Sequence, residues 1–361
     1  MITLNAGELS KALSFIGQAY KAKTTMPIMQ NVKIETDDNI ATLTYTNGEQ
    51  ELTYKLPTAS KESESFTVEL KKLRDRVSQY DKDSDVKIKF DEVKLKAAVS
   101  CGRSKITING LPSSEYPDSQ SVIDFTDVNF DGAELKHALA TVKMAQGQND
   151  VRSYLNGVLI DFADSSCSVV ATDGHRLHVA GVEVDTELNQ SCIIPASAIA
   201  PLHKFLDAGE VTVRISSNHI RISDEESSIQ TTLIDGRYPN WKAVIPKAND
   251  GQLTYNVAEL TNAVKGALIT SNEKFKGIKM ITANTATTIE SNAPDGTSSE
   301  DVVECAMTYI DEITFGANGN YILDALSSIN GSNVNIMVKD GNSAMLIKED
   351  KYMAVVMPMK L

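Results

Sequence analysis

Asp173, His175 and Arg176 lie within four positions of one another, and an acid beside an imidazole could carry acid–base catalysis. The alternative is a hairpin turn at Asp173-Gly174 in which the histidine is hydrogen-bonded. No second acid, nucleophile motif or glycine-rich phosphate loop accompanies these residues. The sequence therefore predicts no catalytic residue, and a DNA-processing enzyme centred on Asp173 and His175 is kept as an alternative hypothesis.

The four cysteines are the other side chains that could do chemistry. Cys101, Cys167, Cys192 and Cys305 are far apart, with no CxxC pair and no histidine at ligand spacing. We expect reduced and mostly buried thiols rather than disulfides or zinc ligands. The sequence predicts no metal site and no cofactor.

The composition is that of a folded protein, with 42% hydrophobic and 23% charged residues in a chain of 361. This length is enough for two or three domains. The formal net charge of −13 by itself argues against a nucleic-acid binder. No run of 18 apolar residues is present, and residues 1–5 lack the features of a signal peptide, so we expect a cytoplasmic protein.

A self-similar pattern with a period of about 125 residues organises the chain. Leu9, Leu135 and Leu260 occupy equivalent positions, 126 and 125 residues apart. In each copy a short alternating strand ends in Asn or Asp and leads into a helix with apolar residues at i, i+3 and i+4. The Asn or Asp is a predicted N-cap, and the Glu that follows suits the positive end of the helix dipole.

Each copy also contains a second amphipathic helix and further alternating strands. These helices are predicted over residues 68–80, 196–206 and 320–329. The strands include 86–90, 211–215 and 334–338. Every copy is therefore expected to be an α+β domain in which two helices pack on one face of an antiparallel sheet.

Segments rich in Pro, Ser, Asp or Gly, near residues 112–121 and 246–251, separate the copies. They predict three domains, at 1–122, 123–247 and 248–361. Four dipeptides predict tight turns with a positive φ at glycine, namely Asn47-Gly48, Asn109-Gly110, Asp173-Gly174 and Asp340-Gly341.

The charge is unevenly distributed along the chain. Six helical windows together carry +5, and the remaining residues carry −18; the windows are 7–23, 67–80, 132–144, 196–207, 257–276 and 319–330. One interpretation is that exposed helix positions favour lysine through helix propensity alone. The other is a weak, sequence-independent track for phosphates, on which topology rather than affinity would have to hold DNA.

The segment 352–361 is apolar to its end, whereas most chain termini are polar. One interpretation is a final strand buried in its own sheet. The other is a rim of pliable methionine side chains that accepts several partners. Pro358 predicts that Met359 to Leu361 lie at a sheet edge.

Four segments carry a resemblance that extends over the whole chain. They are Ala171 to Leu177, Asp150 to Gly157, Ser271 to Gly277 and Val355 to Leu361, and they closely resemble the bacterial sliding clamp, the β subunit of DNA polymerase III. In the first copy the resemblance lies in Gly102-Arg103-Ser104 and Leu111-Pro112.

The resemblance implies a non-catalytic, head-to-tail homodimer closed into a ring of six domains, with helices lining the hole. Such a ring tethers the replicative DNA polymerase to double-stranded DNA without sequence preference, after a clamp loader opens it. Other proteins with clamp-binding motifs are further implied partners. The alternative hypothesis keeps the fold without the ring, as a homologue that captures clamp-binding peptides.

The resemblance also implies a cleft for partner peptides between the second and third domains. The matching positions are Leu155, Thr172, Gly174, His175, Arg176, Leu177, Pro239, Val244, Phe275, Asn318, Tyr321, Val355, Met357, Pro358, Met359 and Leu361. Two positions differ from the family pattern: Ala243 stands where an arginine is frequent, and Ala344 where a serine is common. We expect these two differences to change the affinity of the cleft for peptides or its motif preference, while the site itself persists.

By the same resemblance, DNA is faced by Lys23, Gln148, Asn149, Arg152 and Tyr154. The joint between subunits sets Lys71, Lys72, Arg74, Arg76, Ile106 and Ile108 of one chain against Ile269, Thr270, Glu300, Asp301 and Glu304 of the other. Opposite charges on two different patches suit a head-to-tail contact. Arg76 and Thr270 replace residues that are often apolar in relatives. An alternative places the four basic residues of this set against DNA.

Overall fold

The computed structural model describes residues 1–118, 125–163, 165–207, 209–310 and 312–360. The predicted boundary between residues 122 and 123 lies outside these residues. The chain divides into two compact units: Met1–Ala133 with Ser197–Leu233, and Glu134–Ala196 with Ile234–Leu361. Within the described ranges no helix is long and apolar enough to cross a membrane.

The described residues form six α-helices. They are α1 (Ala6–Ile16), α2 (Leu70–Val77), α3 (Gly132–Val142), α4 (Ala196–Phe205), α5 (Val257–Thr270) and α6 (Gly319–Leu326). The two helices predicted for each copy are thus confirmed, with shifted ends. The predicted helix over 68–80 starts only at Leu70, because Val68 and Glu69 pair with the neighbouring strand as part of β5.

The strands follow in chain order. They are β1 (Ile2–Asn5), β2 (Asn31–Asp37), β3 (Ile40–Thr46), β4 (Gln50–Pro57), β5 (Glu64–Glu69), β6 (Asp85–Asp91), β7 (Lys96–Cys101), β8 (Ser104–Asn109), β9 (Thr126–Asp131), β10 (Gly157–Ala163), β11 (Ser166–Thr172), β12 (Arg176–Val182), β13 (Gln190–Pro195), β14 (Glu210–Ile215), β15 (His219–Ser223), β16 (Ser227–Thr232), β17 (Gly251–Asn256), β18 (Gly277–Ala283), β19 (Ala286–Asn292), β20 (Ser298–Glu304), β21 (Ala306–Thr308), β22 (Glu312–Asn318), β23 (Asn333–Val338), β24 (Met345–Glu349) and β25 (Tyr352–Val356). The strands predicted over 86–90, 211–215 and 334–338 are confirmed.

The first unit contains two antiparallel sheets, ordered β1-β6-β7-β8 and β5-β2-β3-β4-β16-β15-β14-β9. The pairing of β4 with β16, in which Leu52 faces Ile229, joins strands of the first and second sequence repeats in one sheet. Helices α1 and α2 pack together and bury apolar faces that include Leu9, Leu13 and Leu73.

The second unit has the same construction. Its sheets are ordered β13-β10-β11-β12-β25-β24-β23-β17-β21 and β20-β19-β18-β22. Here β12 pairs with β25, with Leu177 opposite Val355, so that strands of the second and third repeats share one sheet. Helices α5 and α6 pack together over a core that includes Leu260, Val264 and Ile322.

Asparagine side chains cap the N-termini of three of the helices. The Asn5 Oδ1 atom accepts a hydrogen bond from the Glu8 N–H at 3.0 Å, and Asn256 Oδ1 accepts from two N–H groups of the first turn of α5. Each bond satisfies donors that a helix start otherwise leaves unpaired. The N-caps predicted for the first and third copies are therefore confirmed, and Asn318 caps α6 in the same way.

Two of the four predicted glycine turns are confirmed, the one at Asp340-Gly341 is present without the predicted positive φ, and the one at Asn109-Gly110 is wrong. Gly48 and Gly174 have φ of +88° and +89°, which favours glycine. Gly110 and Gly341 do not have a positive φ; instead, a Cβ atom there would collide with the carbonyl oxygens of Thr67 and Thr314. Glycine is required at both positions because two backbone segments approach closely, and not because of a positive φ.

The cysteines are free thiols, as predicted, with three of them buried and Cys101 half-buried. Burial raises the pKa of both Cys167 and Cys192 to about 12. Such thiols remain protonated at neutral pH and are poor nucleophiles.

A deeply buried histidine on β12 makes folding sensitive to acid. The His178 Nδ1 atom lies 3.2 Å from the Thr141 carbonyl oxygen, and its Nε2 atom has no hydrogen-bond partner among the described residues. Burial lowers the pKa of His178 from 6.5 to about 4. The unfolded chain therefore takes up a proton at a higher pH than the folded chain does.

We expect His178 to reduce the free energy of unfolding as pH falls from 6.5 towards 4, by on the order of 3 kcal/mol in total, and to have no effect above that window. In a His178→Gln variant the slope of stability against pH between 6 and 5 should fall by about one proton's contribution. Urea unfolding at fixed protein concentration measures it, with the exposed His137→Gln as the control. An unchanged slope in His178→Gln would contradict the expectation.

Candidate functional site

A cleft of about 210 Å³ opens on the second unit. It is lined by Arg152, Leu155, Thr172, Gly174, Arg176, Leu177, Pro239, Asn240, Trp241, Val244, Val355 and Met357. The nine residues of this set other than Arg152, Asn240 and Trp241 belong to those predicted for the peptide cleft. The structure thus brings together residues more than 200 positions apart in the sequence.

The hairpin between β11 and β12 supplies one end of the cleft. The Thr172 hydroxyl donates to the Arg176 carbonyl oxygen, and Asp173 Oδ1 accepts from the N–H groups of His175 and Arg176 at 2.9 and 3.0 Å. The carboxylate of Asp173 is therefore committed to the turn, whereas His175 is exposed. This geometry gives Asp173 a structural role in the turn.

Arg176 is the most constrained charged side chain of the cleft. Its Nε atom donates to Asp173 Oδ2 at 3.1 Å, and its terminal nitrogens bond to the Asp324 carboxylate and the Met144 carbonyl oxygen. The guanidinium also lies 4.4 Å from the ring centroid of Tyr321. Because Arg176 bonds to both Asp173 and Asp324, it links the hairpin to α6. Only 11% of its side chain is exposed.

The C-terminal strand forms the floor. Leu177 and Val355 are both buried and lie opposite each other across the β12–β25 pair. Beyond β25 the Met357 N–H donates to the His175 carbonyl oxygen at 3.0 Å, and the Met359 N–H donates to Gly316 at the edge of β22. The final strand is thus buried, and Met359 lies at a sheet edge as predicted. Leu361 lies outside the described residues.

The loop before β10 also reaches the cleft. Asp150 accepts three hydrogen bonds from Arg152, at 2.8 to 2.9 Å, and these bonds lower the pKa of Asp150 to about 2. Arg152 lies beside Gly174, and a Cβ atom on that glycine would come within 3.3 Å of the guanidinium. Tyr154 packs against the core below. Two residues predicted to face DNA are therefore found at or beneath the cleft.

The cleft also contains a tryptophan that was not predicted from the sequence. Trp241 lines the cleft, and its Nε1–H donates to Asp161 Oδ2 at 2.9 Å. It lies in a 3₁₀ turn, Trp241–Val244, immediately after Pro239 and Asn240. The available signal was the lone tryptophan of the chain in a segment bounded by two prolines.

Six of the residues predicted for the cleft do not line it, namely His175, Phe275, Asn318, Tyr321, Pro358 and Met359. Tyr321 lies against Arg176, and Asn318 caps the helix that carries Tyr321. Phe275 is 56% exposed on the loop before β18. The role of these six residues in binding stays a prediction.

The residues predicted for one side of the subunit joint lie in the first unit. Lys71 and Lys72 are exposed on α2, whereas Arg74 is half-buried and Arg76 bonds to Ser104. Ser104 is the first residue of β8, which is an edge strand. Ile106 and Ile108 are two residues apart and therefore lie on the same face of β8; Ile108 is 1% exposed, and Ile106 is half-buried.

The residues predicted for the other side lie in the second unit, around α5 and the edge strand β20. Ile269 is 84% exposed. Thr270 bonds to Ser291 and Ser299, so its hydroxyl is engaged within the chain. Glu300 and Glu304 are exposed and Asp301 is half-buried. Val302, which was not predicted, is 65% exposed on the same strand.

The remaining residues predicted to face DNA are on surface loops. Lys23 is exposed in the first unit, and Gln148 and Asn149 are exposed in the second. Across the described ranges, no group of three or more His, Cys, Asp or Glu side chains is arranged to hold a metal ion.

Three consecutive family models match the chain: the N-terminal domain of the DNA polymerase III beta subunit at residues 1–120, its central domain at 129–240 and its C-terminal domain at 242–360. The beta sliding clamps of Pseudomonas putida and Escherichia coli K12 are each 30% identical, over 99% of both chains.

Solved structures agree with these sequence matches. The DNA polymerase III subunit beta of Pseudomonas aeruginosa superimposes with a TM-score of 0.96 at 28% identity, over all of both chains. A sliding clamp of the same organism bound to griselimycin gives a TM-score of 0.95 at 28% identity, over 99% of both chains.

Proposed function

The chain belongs to the DNA polymerase III beta subunit family, the beta sliding clamps, and we propose that it forms a ring that encircles duplex DNA and tethers the replicative DNA polymerase for processive synthesis. The observation that carries this proposal is the match of three consecutive domain models and of whole clamp chains from end to end.

The charge distribution supports a mechanism in which the protein retains DNA by enclosing it and not by electrostatic attraction. With a net charge of −13, the protein has little overall electrostatic attraction for phosphates. A closed ring does not need such attraction, because it can leave DNA only by opening or by passing an end. The helical windows, at +5, suit a weakly attractive lining on which Lys23 and the loop at Gln148 and Asn149 contact the backbone without reading bases.

We propose that two copies close the ring head to tail through the edge strands β8 and β20. Each strand leaves one row of backbone N–H and C=O groups unpaired within its own sheet, which is a template for pairing with another chain. Arg76 of α2 bonds to Ser104 on β8, and Glu300 and Glu304 lie on β20. Two different, oppositely charged patches make a heterologous contact that can close by rotation.

The cleft is proposed as the docking site for the polymerase, the clamp loader and other proteins with clamp-binding motifs. Its lining is mostly apolar, with Arg152, Thr172 and Arg176 as polar groups that can orient a short peptide. The protein needs no catalytic residue, metal or cofactor for this role. We place it in the cytoplasm, where replication takes place in bacteria.

Two measurements test the proposal together. The particle mass should be twice the 39.2 kDa of one chain, by light scattering at micromolar concentration. After loading, the protein should stay on circular DNA and run off linear DNA of the same sequence at moderate salt. Equal loss from both forms would remove the topological mechanism, and a dominant 39.2 kDa species would instead favour a peptide-capturing homologue that forms no ring.

A further inference from the structure

Trp241 forms one side of the cleft and is the only tryptophan of the chain. It packs against a core cluster that contains Leu177 and Val355, and these two residues also line the cleft. The indole therefore continues the apolar surface that Leu177 and Val355 form in the cleft. A broad aromatic surface beside aliphatic side chains is the type of pocket that holds a hydrophobic anchor residue.

The indole is tied to a strand that lies outside the cleft. Asp161, on β10, accepts the Nε1–H of Trp241 at 2.9 Å, and Asp161 itself does not line the cleft. Indole has a single donor, so this bond determines which way the ring faces. A carboxylate acceptor makes the bond stronger than a neutral one would. On the solvent side, the Lys242 ammonium lies 5.4 Å from the indole ring centroid.

We infer that Trp241 selects a large hydrophobic side chain of the partner peptide, and that Asp161 is the positioning residue that holds the indole in place. The inference rests on the proposed function of the cleft. Its physical reason is preorganisation: a side chain that is fixed before binding loses little conformational entropy when the ligand arrives. An indole without its anchor would have to be ordered by the ligand, which weakens binding.

The first experiment tests selection by Trp241. The probes are griselimycin and the tightest-binding member of a synthetic hexapeptide library that is varied at every position. A further probe is that hexapeptide with the large hydrophobic residue that contributes most to binding replaced by Ala. Calorimetry on the full chain should show Trp241→Ala binding both parent probes about 30-fold more weakly. The Ala-replaced hexapeptide should lose about 30-fold on the wild type but only about threefold on Trp241→Ala.

The second experiment tests positioning by Asp161. Asp161→Ala should weaken binding about fivefold, whereas Asp161→Asn, which keeps an oxygen acceptor, should stay within about twofold of the wild type. In a Trp241→Phe background, Asp161→Ala should weaken binding by a further factor of less than about two, because the phenylalanine ring has no N–H group that Asp161 could hold. The emission of the lone tryptophan gives a direct readout: Asp161→Ala should increase acrylamide quenching, and Asp161→Asn should not.

The outcomes separate the inference from the function on which it rests. Wild-type chain that binds neither probe would overturn both. Binding by the wild type with unchanged affinity in Trp241→Ala would overturn the inference alone. An equal loss from Asp161→Ala with Trp or Phe at position 241 would overturn the role of Asp161. If Trp241→Ala does not fold, Trp241→Phe carries the first test, with an expected loss of about threefold for both parent probes.

Discussion

Replacing Arg176 by alanine is expected to lower the free energy of unfolding by about 3 kcal/mol and to weaken the binding of a peptide in the proposed docking cleft at least about tenfold. The side chain is 11% exposed and its charge meets two carboxylates, those of Asp173 and Asp324. Removing it leaves these partly buried acids without their counter-charge. It also releases the hairpin of residues 172–176 from α6, so that one end of the cleft loses its support.

Two variants make this result specific to Arg176. Arg176→Lys keeps the charge but not the planar fork, and its stability should fall between those of the wild type and Arg176→Ala. Arg214→Ala removes a bidentate pair with Asp127 in which the side chains are 37% and 39% exposed, and should cost less than about 1 kcal/mol. Denaturant unfolding and calorimetry measure both quantities. Equal losses for Arg176→Ala and Arg214→Ala would contradict the predicted role.

Reversing two charges on α2, in the variant Lys71→Glu with Lys72→Glu, is expected to weaken dimerisation about 100-fold and to abolish retention on circular DNA. In the proposed joint these residues meet Glu300 and Glu304 of the neighbouring chain, so reversal sets like charges against each other. Each ring has two such joints, and both would be affected. Light scattering over a range of concentrations gives the dissociation constant.

A charge swap provides the control within the same experiment. Adding Glu300→Lys and Glu304→Lys to the reversed chain should restore the dimer, because each joint again pairs opposite charges. Lys87→Glu with Lys89→Glu reverses two exposed lysines on β6 and should leave the dimer intact. Failure of the four-residue swap to restore dimerisation would exclude this pairing of α2 with β20.

The features that could be predicted from the sequence are those that depend on neighbouring residues. The repeats were visible because each begins with a strand, an Asn or Asp and an amphipathic helix, and the Asn5 and Asn256 caps need only the following turn. The nine predicted residues found in the cleft came from a resemblance to a family, which transfers a known arrangement onto matching positions. No local pattern indicates that Leu155 and Val355 share a pocket.

The errors have a common physical origin. Asn109-Gly110 has the composition of a tight turn, but its glycine is required by the approach of the Thr67 carbonyl from another strand. Alternation along β8 places Ile106 and Ile108 on the same face, but only the packing of the whole chain decides that Ile108 is buried and Ile106 is half-buried. Local composition is the same in either case, so contacts between distant segments determine the outcome.

By itself, the sequence determined the threefold repeat, the α+β class, the helix starts, the reduced cysteines and the uneven charge, because each depends on residue type and short-range spacing. Only the tertiary structure decided that β4 pairs with β16 and β12 with β25, so that each large sheet spans two repeats. It also brought Trp241 to Asp161 across 80 positions. Such pairings are chosen by competition among many edges and surfaces for burial and backbone hydrogen bonds, and that competition is settled only when the whole chain has folded.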